Sequence, residues 1–436
     1  MLGAVISTVI SQYISEGIGR KKSMMLSGLC MALGWSLIAT AKTVRLILIG
    51  RFINGLGMGL HIPTSLVYIS EISENSIRGT LPSLLPFMYN LGTLVSYTEG
   101  WLFSYDVINY LCVTVSVATV VVMCLFNETP AYLMGKGLEN EALESLKFYR
   151  GKSTITQELL DEIIYLRNQL QSNNIKIIVN EEETQINDEE NLKYKPGKEN
   201  HDVNVLHEQS VWSILRSSKS SQRALLSLSM LMILCVFMGM LGVQAYAGQF
   251  FSRAAPSLSP HMCSIFLAVV IATVSGVSVV IMELVPRRVL MISSCFMSAV
   301  CMGVLASLLR WAWAPEWAIP LIMVAYCVCY HTGSVNVLFV QMAECFPPQL
   351  KSFTSSVVMC TMFVANFALL YLFGPCVEAL GLDGTFLMFS LISLLTALMS
   401  FLCMMETRRV PLETIATMFD QGYLYRKQKI LNKINE

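Results

Sequence analysis

Residues 15–22 read SEGIGRKK, and residues 282–288 read MELVPRR. In both stretches a long apolar run ends at a glutamate, and an arginine follows that glutamate four residues later. The two copies lie 267 residues apart. The same charges at the same spacing after two separate apolar runs predict that the chain consists of two halves that repeat each other in parallel.

Two further charged motifs occur once in each half, in the same order along the chain. A basic residue follows Glu71 after seven positions, and another follows Glu344 after seven. A Glu-Thr pair at 128–129 and a second at 406–407 follow the last apolar run of each half. Because a carboxylate at the end of a membrane helix is costly unless it is paired, we expect clusters that hold the two halves together and break when one side opens. The alternative is ordinary helix-end charges. The predicted gating charges are Glu16, Arg20, Lys21, Arg51, Glu71, Arg78, Glu128, Glu283, Arg287, Arg288, Glu344, Lys351 and Glu406.

The composition is that of a membrane protein. Of the 436 residues 54% are hydrophobic and only 14% are charged, whereas soluble domains usually carry about 25% charged residues. The mean hydropathy is +0.57. Lys and Arg together number 30, as do Asp and Glu, so no basic face for a nucleic acid is indicated. Most of the 13 cysteines lie inside apolar runs without the spacing of a zinc site, so neither a metal nor a cofactor is predicted.

Eleven apolar segments are predicted to cross a lipid bilayer, which takes about 20 residues of helix, although the first of them is short. The predicted fold class is therefore an all-α membrane protein. Five segments precede a polar insert and six follow it, and the repeat aligns the first segment with the second segment of the later half. We therefore expect the first helix of a twelve-helix plan to be missing. The predicted spans are residues 1–15, 23–41, 45–70, 80–103, 108–126, 223–250, 262–283, 289–309, 318–343, 352–376 and 384–405.

Most basic residues of the short loops fall on one side if the spans alternate, and this side is expected to be the cytoplasm. The C-terminus then also lies in the cytoplasm. The insert has helical spacing from Asn140 to Gln171 and an acidic linker at 181–202 that we expect to be disordered. The predicted domains are a first helical bundle at 1–126, the cytoplasmic insert at 127–222, a second bundle at 223–405 and a cytoplasmic tail at 406–436.

Glycines occupy every second position of one stretch of the third span, at Gly55, Gly57 and Gly59. Small residues let membrane helices pack closely, and we favour close packing over a hinge at these positions. Pro63 in the same span and Pro82 and Pro86 in the next are expected to break or bend their helices, with simple tolerance of proline in membrane helices as the alternative.

Six stretches of the chain carry recognisable motifs. They are SEGIGRKK at 15–22, GRFINGLGMG at 50–59, YISE at 68–71 with Arg-Gly at 78–79, NETPAYL at 127–133, ECFP at 344–347 and ETRRVPLE at 406–413. Together they resemble the sugar porter family of the major facilitator superfamily, in particular its insect trehalose and glucose transporter-like members. The resemblance implies the major facilitator fold, with two six-helix bundles of which the first here lacks one helix.

The positions at which the family binds its substrate are changed in this chain. The family's glutamine of helix 5 is replaced by Pro86, its helix 7 motif Q-Q-x-S-G-x-N falls on MGMLGVQ at 238–244, and its helix 10 motif G-P-x-P-W falls on VNVLF at 335–339. Because a sugar is held by directional hydrogen bonds and by an aromatic face, the lost amides predict an unusual solute or weak affinity. The remaining binding candidates, each with an interhelical bond or plain packing as the alternative, are Gln244, Tyr246, Gln249, Asn336, Phe339, Gln341 and Asn366.

The resemblance implies a transporter of a small polar solute, most simply a sugar such as trehalose or a hexose. We expect alternating access, facilitated diffusion and a place in the plasma membrane. The alternative is a non-transporting sensor or a degenerate relative. No enzyme is predicted, because no catalytic set is evident and His61, His261 and His331 are far apart in sequence.

Overall fold

The structure is a computed structural model. All regular secondary structure among the residues that it describes is helical. The described residues are 1–74, 81, 84–152, 154, 156–157, 159–164, 166–167, 215–216, 218–245, 259–315, 317–346, 348–408, 410, 414–415 and 418–419. The predicted acidic linker at 181–202 lies outside them.

Five long helices make up the first half. They are α1 (Leu2–Ile18), α2 (Arg20–Ala39), α3 (Val44–Ile72), α4 (Leu84–Leu102) and α5 (Tyr105–Cys124). Leucine, isoleucine, valine and methionine dominate these segments, and in a bilayer the helix satisfies every backbone hydrogen bond internally. α3 continues through Pro63, as proline is tolerated where neighbouring helices supply partners.

Two short helices follow, α6 (Pro130–Gly135) and α7 (Glu139–Tyr149). Thr129 caps α6, since its side chain accepts a hydrogen bond from the backbone N–H of Tyr132. Leu146 and Ile163 are buried together in a small separate core. The helical spacing predicted for this part of the insert is thereby confirmed where the structure describes it.

The second half begins with α8 (Lys219–Phe237) and the short α9 (Met240–Ala245), followed by α10 (Pro260–Leu284) and α11 (Arg287–Trp311). The next span is α12 (Ala318–Cys329), a π-helical turn (Tyr330–Ser334) and α13 (Val335–Glu344) in direct succession. The last, α14 (Pro348–Cys403), is divided by Gly381, whose φ of 76° and ψ of 172° are not helical. We call the parts before and after Gly381 the first and second limb of α14.

The observed helices overlap all eleven predicted spans where the structure describes them, and residues 80, 82–83 and 246–250 of two of these spans lie outside the described residues. Eight stretches of the described helices are long and apolar enough to cross a membrane by length and composition, and α1 and α4 are not among them. In this count α8 with α9 is one stretch, α12 with α13 is another, and α14 is one although its two limbs match two predicted spans. Many large apolar side chains on these helices are exposed, as Val121, Leu226 and Leu391 illustrate. Such an apolar outer surface suits contact with lipid rather than water.

The glycines of α3 lie where α1 and α2 pack against it. A Cβ atom added at Gly59 would collide with the backbone oxygen of Ala4 and the hydroxyl of Ser7, and one at Gly57 would collide with Met31 and the Ser27 carbonyl on α2. The absence of side chains at these positions is what allows α1 and α2 to approach the α3 backbone. The interpretation of these glycines as packing positions is confirmed.

The two halves touch through polar side chains. The Ser11 hydroxyl of α1 lies 3.2 Å from the Ser356 hydroxyl of α14. Asn90 of α4 donates from Nδ2 to the Ser275 hydroxyl of α10 over 2.7 Å. Tyr97, about two helical turns further along α4, donates its hydroxyl to the Gln244 carbonyl at the end of α9 over 2.5 Å.

Candidate functional site

A cavity of about 370 Å³ lies between the two halves. Its wall comes from α3 and α4 of the first half, and from α8, α9, the π-helical turn, α13 and the first limb of α14 in the second. The volume falls within the range of small-molecule sites, roughly 300–1,000 Å³. Because both halves contribute to the wall, a solute bound here contacts both.

The cavity wall is mainly apolar. Phe339 and Phe363 contribute aromatic rings to it, and Pro86 lies where the family's helix 5 glutamine would stand. Thioethers contribute much of the remaining apolar wall, and these flexible, polarisable side chains adapt to ligands of irregular shape. The methionines that line the cavity are Met1, Met58, Met88, Met232, Met240 and Met362.

Three of the predicted binding residues line the cavity, namely Gln244, Phe339 and Asn366. The side-chain amide nitrogen of Gln244 has no hydrogen-bond partner within the described part of the chain. Gln244 is half-buried at the end of α9 and Asn366 is half-buried on the first limb of α14. Both amides therefore remain available to a solute.

Two other candidates lie outside the cavity wall. Asn336 is fully buried, and its Nδ2 donates to the Ser278 hydroxyl over 2.5 Å and to the His331 carbonyl over 2.6 Å. Gln341 donates from Nε2 to the carbonyl of Met405 over 3.1 Å. These are the interhelical bonds named above as the alternative to solute binding. Tyr246 and Gln249 lie outside the described residues.

The structure adds two histidines that the sequence did not single out as a pair. His61 on α3 and His331 in the π-helical turn line the same cavity from opposite halves, although 270 positions separate them. Ser65, Tyr89 and Asn90 complete the polar part of the wall. The signal that could have found the histidines is their place inside apolar spans, where an ionisable side chain is costly and commonly functional.

The charges of the first half form one cluster at the end of α3. Arg20 donates from Nη2 to Oε1 of Glu71 over 3.0 Å. The other oxygen of Glu71 accepts a hydrogen bond of 2.5 Å from the Thr129 hydroxyl. Glu128 accepts hydrogen bonds of 3.0–3.1 Å from the backbone N–H groups of Arg20 and Lys21 at the start of α2. A carboxylate is stabilised there because a helix N-terminus carries unpaired N–H groups and a partial positive charge.

The second half repeats this arrangement except at the threonine, which here contacts the arginine of the pair and not the glutamate. Arg287 and Glu344 form an ion pair from Nη1 to Oε2. Glu406 accepts hydrogen bonds of 3.1 Å from the backbone N–H groups of Arg287 and Arg288 at the start of α11. The Thr407 hydroxyl lies 3.3 Å from Nη1 of Arg287. We call the end of the bundle that carries these two clusters, built on Arg20, Glu71, Glu128, Arg287, Glu344 and Glu406, the charged end.

Two parts of the gating-charge prediction need correction. The pairs Arg20–Glu71 and Arg287–Glu344 each join residues of one half, so these pairs brace a half internally rather than tying the halves together. Arg51 lies early in α3, with its guanidinium 5.2 Å from the ring centroid of Trp35. Glu71 follows Arg51 by 20 residues on the same helix, which separates the two residues by roughly 30 Å along the helix axis. Arg51 therefore does not belong to the charged end.

The other predicted charges have separate surroundings. Glu16 accepts a hydrogen bond of 3.0 Å from Nε2 of Gln12, one turn earlier on α1. Arg288 donates to the Phe401 carbonyl over 2.6 Å, and Glu283 ends α10 next to the Arg287 cluster. Lys351 lies in the first turn of α14, and Arg78 lies outside the described residues.

Residues 1–419 match the sequence model of a family described as "Sugar (and other) transporter". The chain belongs to this sugar transporter family. Among similar proteins, the facilitated trehalose transporter Tret1-2 homolog of Drosophila simulans is 23% identical over 95% of this chain and 79% of its own length. Tret1 of Apis mellifera ligustica is 24% identical over 99% and 80%. The sugar transporter ERD6-like 16 of Arabidopsis thaliana is 25% identical over 95% and 80%.

Solved structures of the xylose transporter XylE share the fold. The proton:xylose symporter XylE bound to 6-bromo-6-deoxy-D-glucose aligns with a TM-score of 0.74 at 17% identity, over 96% of this chain and 87% of that one. The inward open conformation of XylE from E. coli aligns with a TM-score of 0.70 at 18% identity, over 96% and 87%. The predicted major facilitator fold and multi-pass membrane character are confirmed, and a family of transporters agrees with the expectation that the chain is not an enzyme.

Proposed function

We propose that the protein carries a sugar across a membrane by alternating access of the cavity between its halves. The observation that supports this most directly is the position of that cavity. Both halves form its wall, so a rocking motion of one half against the other exposes it first to one side and then to the other. Membership of the sugar transporter family and the similarity to facilitated trehalose transporters support a sugar as the solute.

We infer facilitated diffusion rather than proton coupling from the similarity to facilitated trehalose transporters. The described lining contains histidine but no aspartate or glutamate, and proton relays in transporters use carboxylates and histidines alike. In the facilitated mode, transport follows the solute gradient alone.

The alternative is a protein that binds without transporting. The apolar lining and the changed amide positions favour this second function, since each missing hydrogen bond to a buried sugar hydroxyl removes about 1–3 kcal/mol. A sensor of this kind binds a sugar and changes conformation, yet moves no solute.

The topology follows from the charges. We propose that the charged end faces the cytoplasm, with residues 127–222 as a cytoplasmic insert between bundles at 1–126 and 223–405, and residues 406–436 as a cytoplasmic tail. The plasma membrane is the proposed location. Tags at residue 436 and at the exposed Glu141 of α7, probed with antibody before and after permeabilisation of cells, test this orientation. Staining of either tag on intact cells contradicts it.

The function is tested with purified protein in proteoliposomes. We expect saturable uptake of labelled glucose or trehalose that is unaffected by a proton ionophore and absent from empty liposomes. Binding detected by a sugar-dependent rise in melting temperature, without any saturable uptake, supports the sensor instead. Uptake abolished by the ionophore contradicts facilitated diffusion.

A further inference from the structure

His61 and His331 are the two histidines of the cavity wall, and the transport mechanism above does not use them. They approach the cavity from different halves, one on α3 and the other in the π-helical turn. Each ring binds the protein through Nδ1, and neither Nε2 has a partner among the described residues. This shared arrangement indicates one role for both.

The tautomer of His331 follows from its partner. Its Nδ1 lies 3.1 Å from the carbonyl oxygen of Cys327. A carbonyl oxygen only accepts hydrogen bonds, so Nδ1 carries the proton and Nε2 of the neutral ring carries a lone pair. His331 lines the cavity and Cys327 does not, so Nε2 is the ring nitrogen left for a solute.

The tautomer of His61 follows in one more step. Its Nδ1 lies 3.0 Å from the Ser27 hydroxyl. That hydroxyl lies 2.7 Å from the carbonyl oxygen of Met24, to which it donates its one proton. Ser27 therefore accepts from Nδ1–H of His61, and Nε2 of His61 again carries a lone pair. Ser27 also lies outside the cavity wall.

The π-helical turn fixes the position of His331. Asn336 donates its side-chain amide to the His331 carbonyl and to Ser278 on α10. A Cβ atom added at Gly333 would collide with the carbonyl of Leu290 and with Ser294 on α11, so the turn packs directly against that helix. Single π-helical turns are rare in proteins, and those that occur are often found at functional sites. The buried Asn336 thus acts as a positioning residue for the histidine.

We propose that the cavity recognises its solute through the two bare Nε2 atoms, which accept hydrogen bonds from two hydroxyl groups of one sugar molecule. This inference rests on the proposed function and adds its binding groups. A ring nitrogen of this kind accepts and cannot donate, so it selects a solute with hydroxyl donors, while Gln244 and Asn366 supply amides that both donate and accept. Because the histidines belong to different halves, the sugar bridges the halves as it binds.

The test uses the difference between two amide substitutions. Asparagine keeps an N–H near the position of Nδ1 and leaves nothing at Nε2, whereas glutamine places its amide oxygen near Nε2. We therefore expect His331→Asn and His61→Asn to raise KM for glucose or trehalose uptake roughly five- to hundredfold. We expect His331→Gln and His61→Gln to remain closer to the unsubstituted protein. His261→Asn serves as the matched control, because His261 is exposed at the start of α10 and outside the cavity.

Monodeoxyglucoses identify the hydroxyl that each histidine binds. In the unsubstituted protein, competition for uptake weakens for the deoxy sugar that lacks the bound hydroxyl. In the corresponding His→Asn variant that sugar and glucose compete equally, a pattern that a merely structural defect does not produce. Melting temperature and gel-filtration profile show that each variant is folded.

The outcomes separate the two proposals. Saturable uptake with unchanged KM and unchanged deoxy-sugar selectivity in both Asn variants overturns recognition by the histidines and leaves the transport function standing. Equal loss in the Asn and Gln variants also overturns it, since the acceptor at Nε2 then makes no difference. Absence of both sugar binding and uptake in the unsubstituted protein overturns the proposed function and, with it, this inference.

Discussion

Arg20 and Glu71 illustrate at residue scale how the charged end is built. Their side chains are 13% and 17% exposed, and Glu71 also accepts from Thr129. A carboxylate held between a guanidinium and a hydroxyl in this environment needs both partners, because loss of one leaves a mostly desolvated charge unpaired. The largest loss of stability per charge is therefore expected when only one residue of the pair is substituted.

Removal of both charges, Arg20 and Glu71, is predicted to destabilise the protein by less than the sum of the two single removals. We expect Glu71→Gln and Arg20→Gln each to reduce stability by about 2–4 kcal/mol, and the double variant to fall short of the sum. The measurement is a double-mutant cycle on melting temperatures of the detergent-purified protein. Asp383→Asn is the control, since its pair with Arg310 spans 3.5 Å with Arg310 70% exposed, and exposed pairs contribute about 0–1 kcal/mol. Additive losses at Arg20 and Glu71 contradict the prediction.

The sequence predicted the charged residues better than the polar residues of the cavity. Glu71, Glu128, Glu344 and Glu406 could be found because each recurs at a fixed spacing in the second half. His61 and His331 precede Glu71 and Glu344 by 10 and 13 residues, so their spacing does not match, and the cavity that they share is seen only in the folded chain. Arg51 was misplaced because a motif gives the helix on which a residue lies but not the depth of that residue in the membrane.

At the scale of elements, hydropathy predicted the helices but not their irregularities. The eleven apolar segments could be read off directly because a membrane helix has to cover about 30 Å of hydrocarbon. The π-helical turn at Tyr330–Ser334 could not, since five residues within one apolar run carry no distinct pattern. Gly381, which divides α14, lies in the gap between the predicted spans 352–376 and 384–405. Its φ is positive, a conformation that favours glycine.

The packing of α1 on α3 gives a test at this scale. Gly59→Ala is predicted to reduce stability by about 1–3 kcal/mol, because the added methyl group collides with the backbone of Ala4 and pushes α1 away. Gly92→Ala on α4 is the matched control, as no atom lies within 4 Å of a Cβ added there, and we expect no loss. Melting temperatures in detergent distinguish the two. Equal effects of both substitutions indicate that helix propensity, rather than close packing, decides the outcome at Gly59.

For the whole molecule, strong contacts lie inside the halves and weaker ones lie between them. The ion pairs Arg20–Glu71 and Arg287–Glu344 each brace one half. The contact of Ser11 with Ser356 joins the halves between the cavity and the charged end. Hydrogen bonds between membrane helices contribute about 0.6 kcal/mol on average, so this contact can break at little cost. Such a distribution suits two rigid bodies that rock against each other.

A cross-link between the halves should therefore stop transport while one inside a half should not. With Ser11→Cys and Ser356→Cys in a background without other reactive cysteines, such as the exposed Cys124, oxidation is expected to reduce uptake at least about tenfold, and reduction to restore it. The reason is that the hydroxyls of these residues lie 3.2 Å apart, and alternating access requires that end of the molecule to separate.

Two controls make the result specific. Each single cysteine variant is oxidised in parallel, and Arg310→Cys with Asp383→Cys, both in the second half, is joined by a flexible bismaleimide. We expect uptake to persist in all of these. If uptake also persists when gel analysis shows the Ser11–Ser356 cross-link to be complete, the halves do not separate at the charged end. Solute would then have to reach the cavity from the opposite end, past the bond between Tyr97 and Gln244, and a rocking cycle that opens both ends would be excluded.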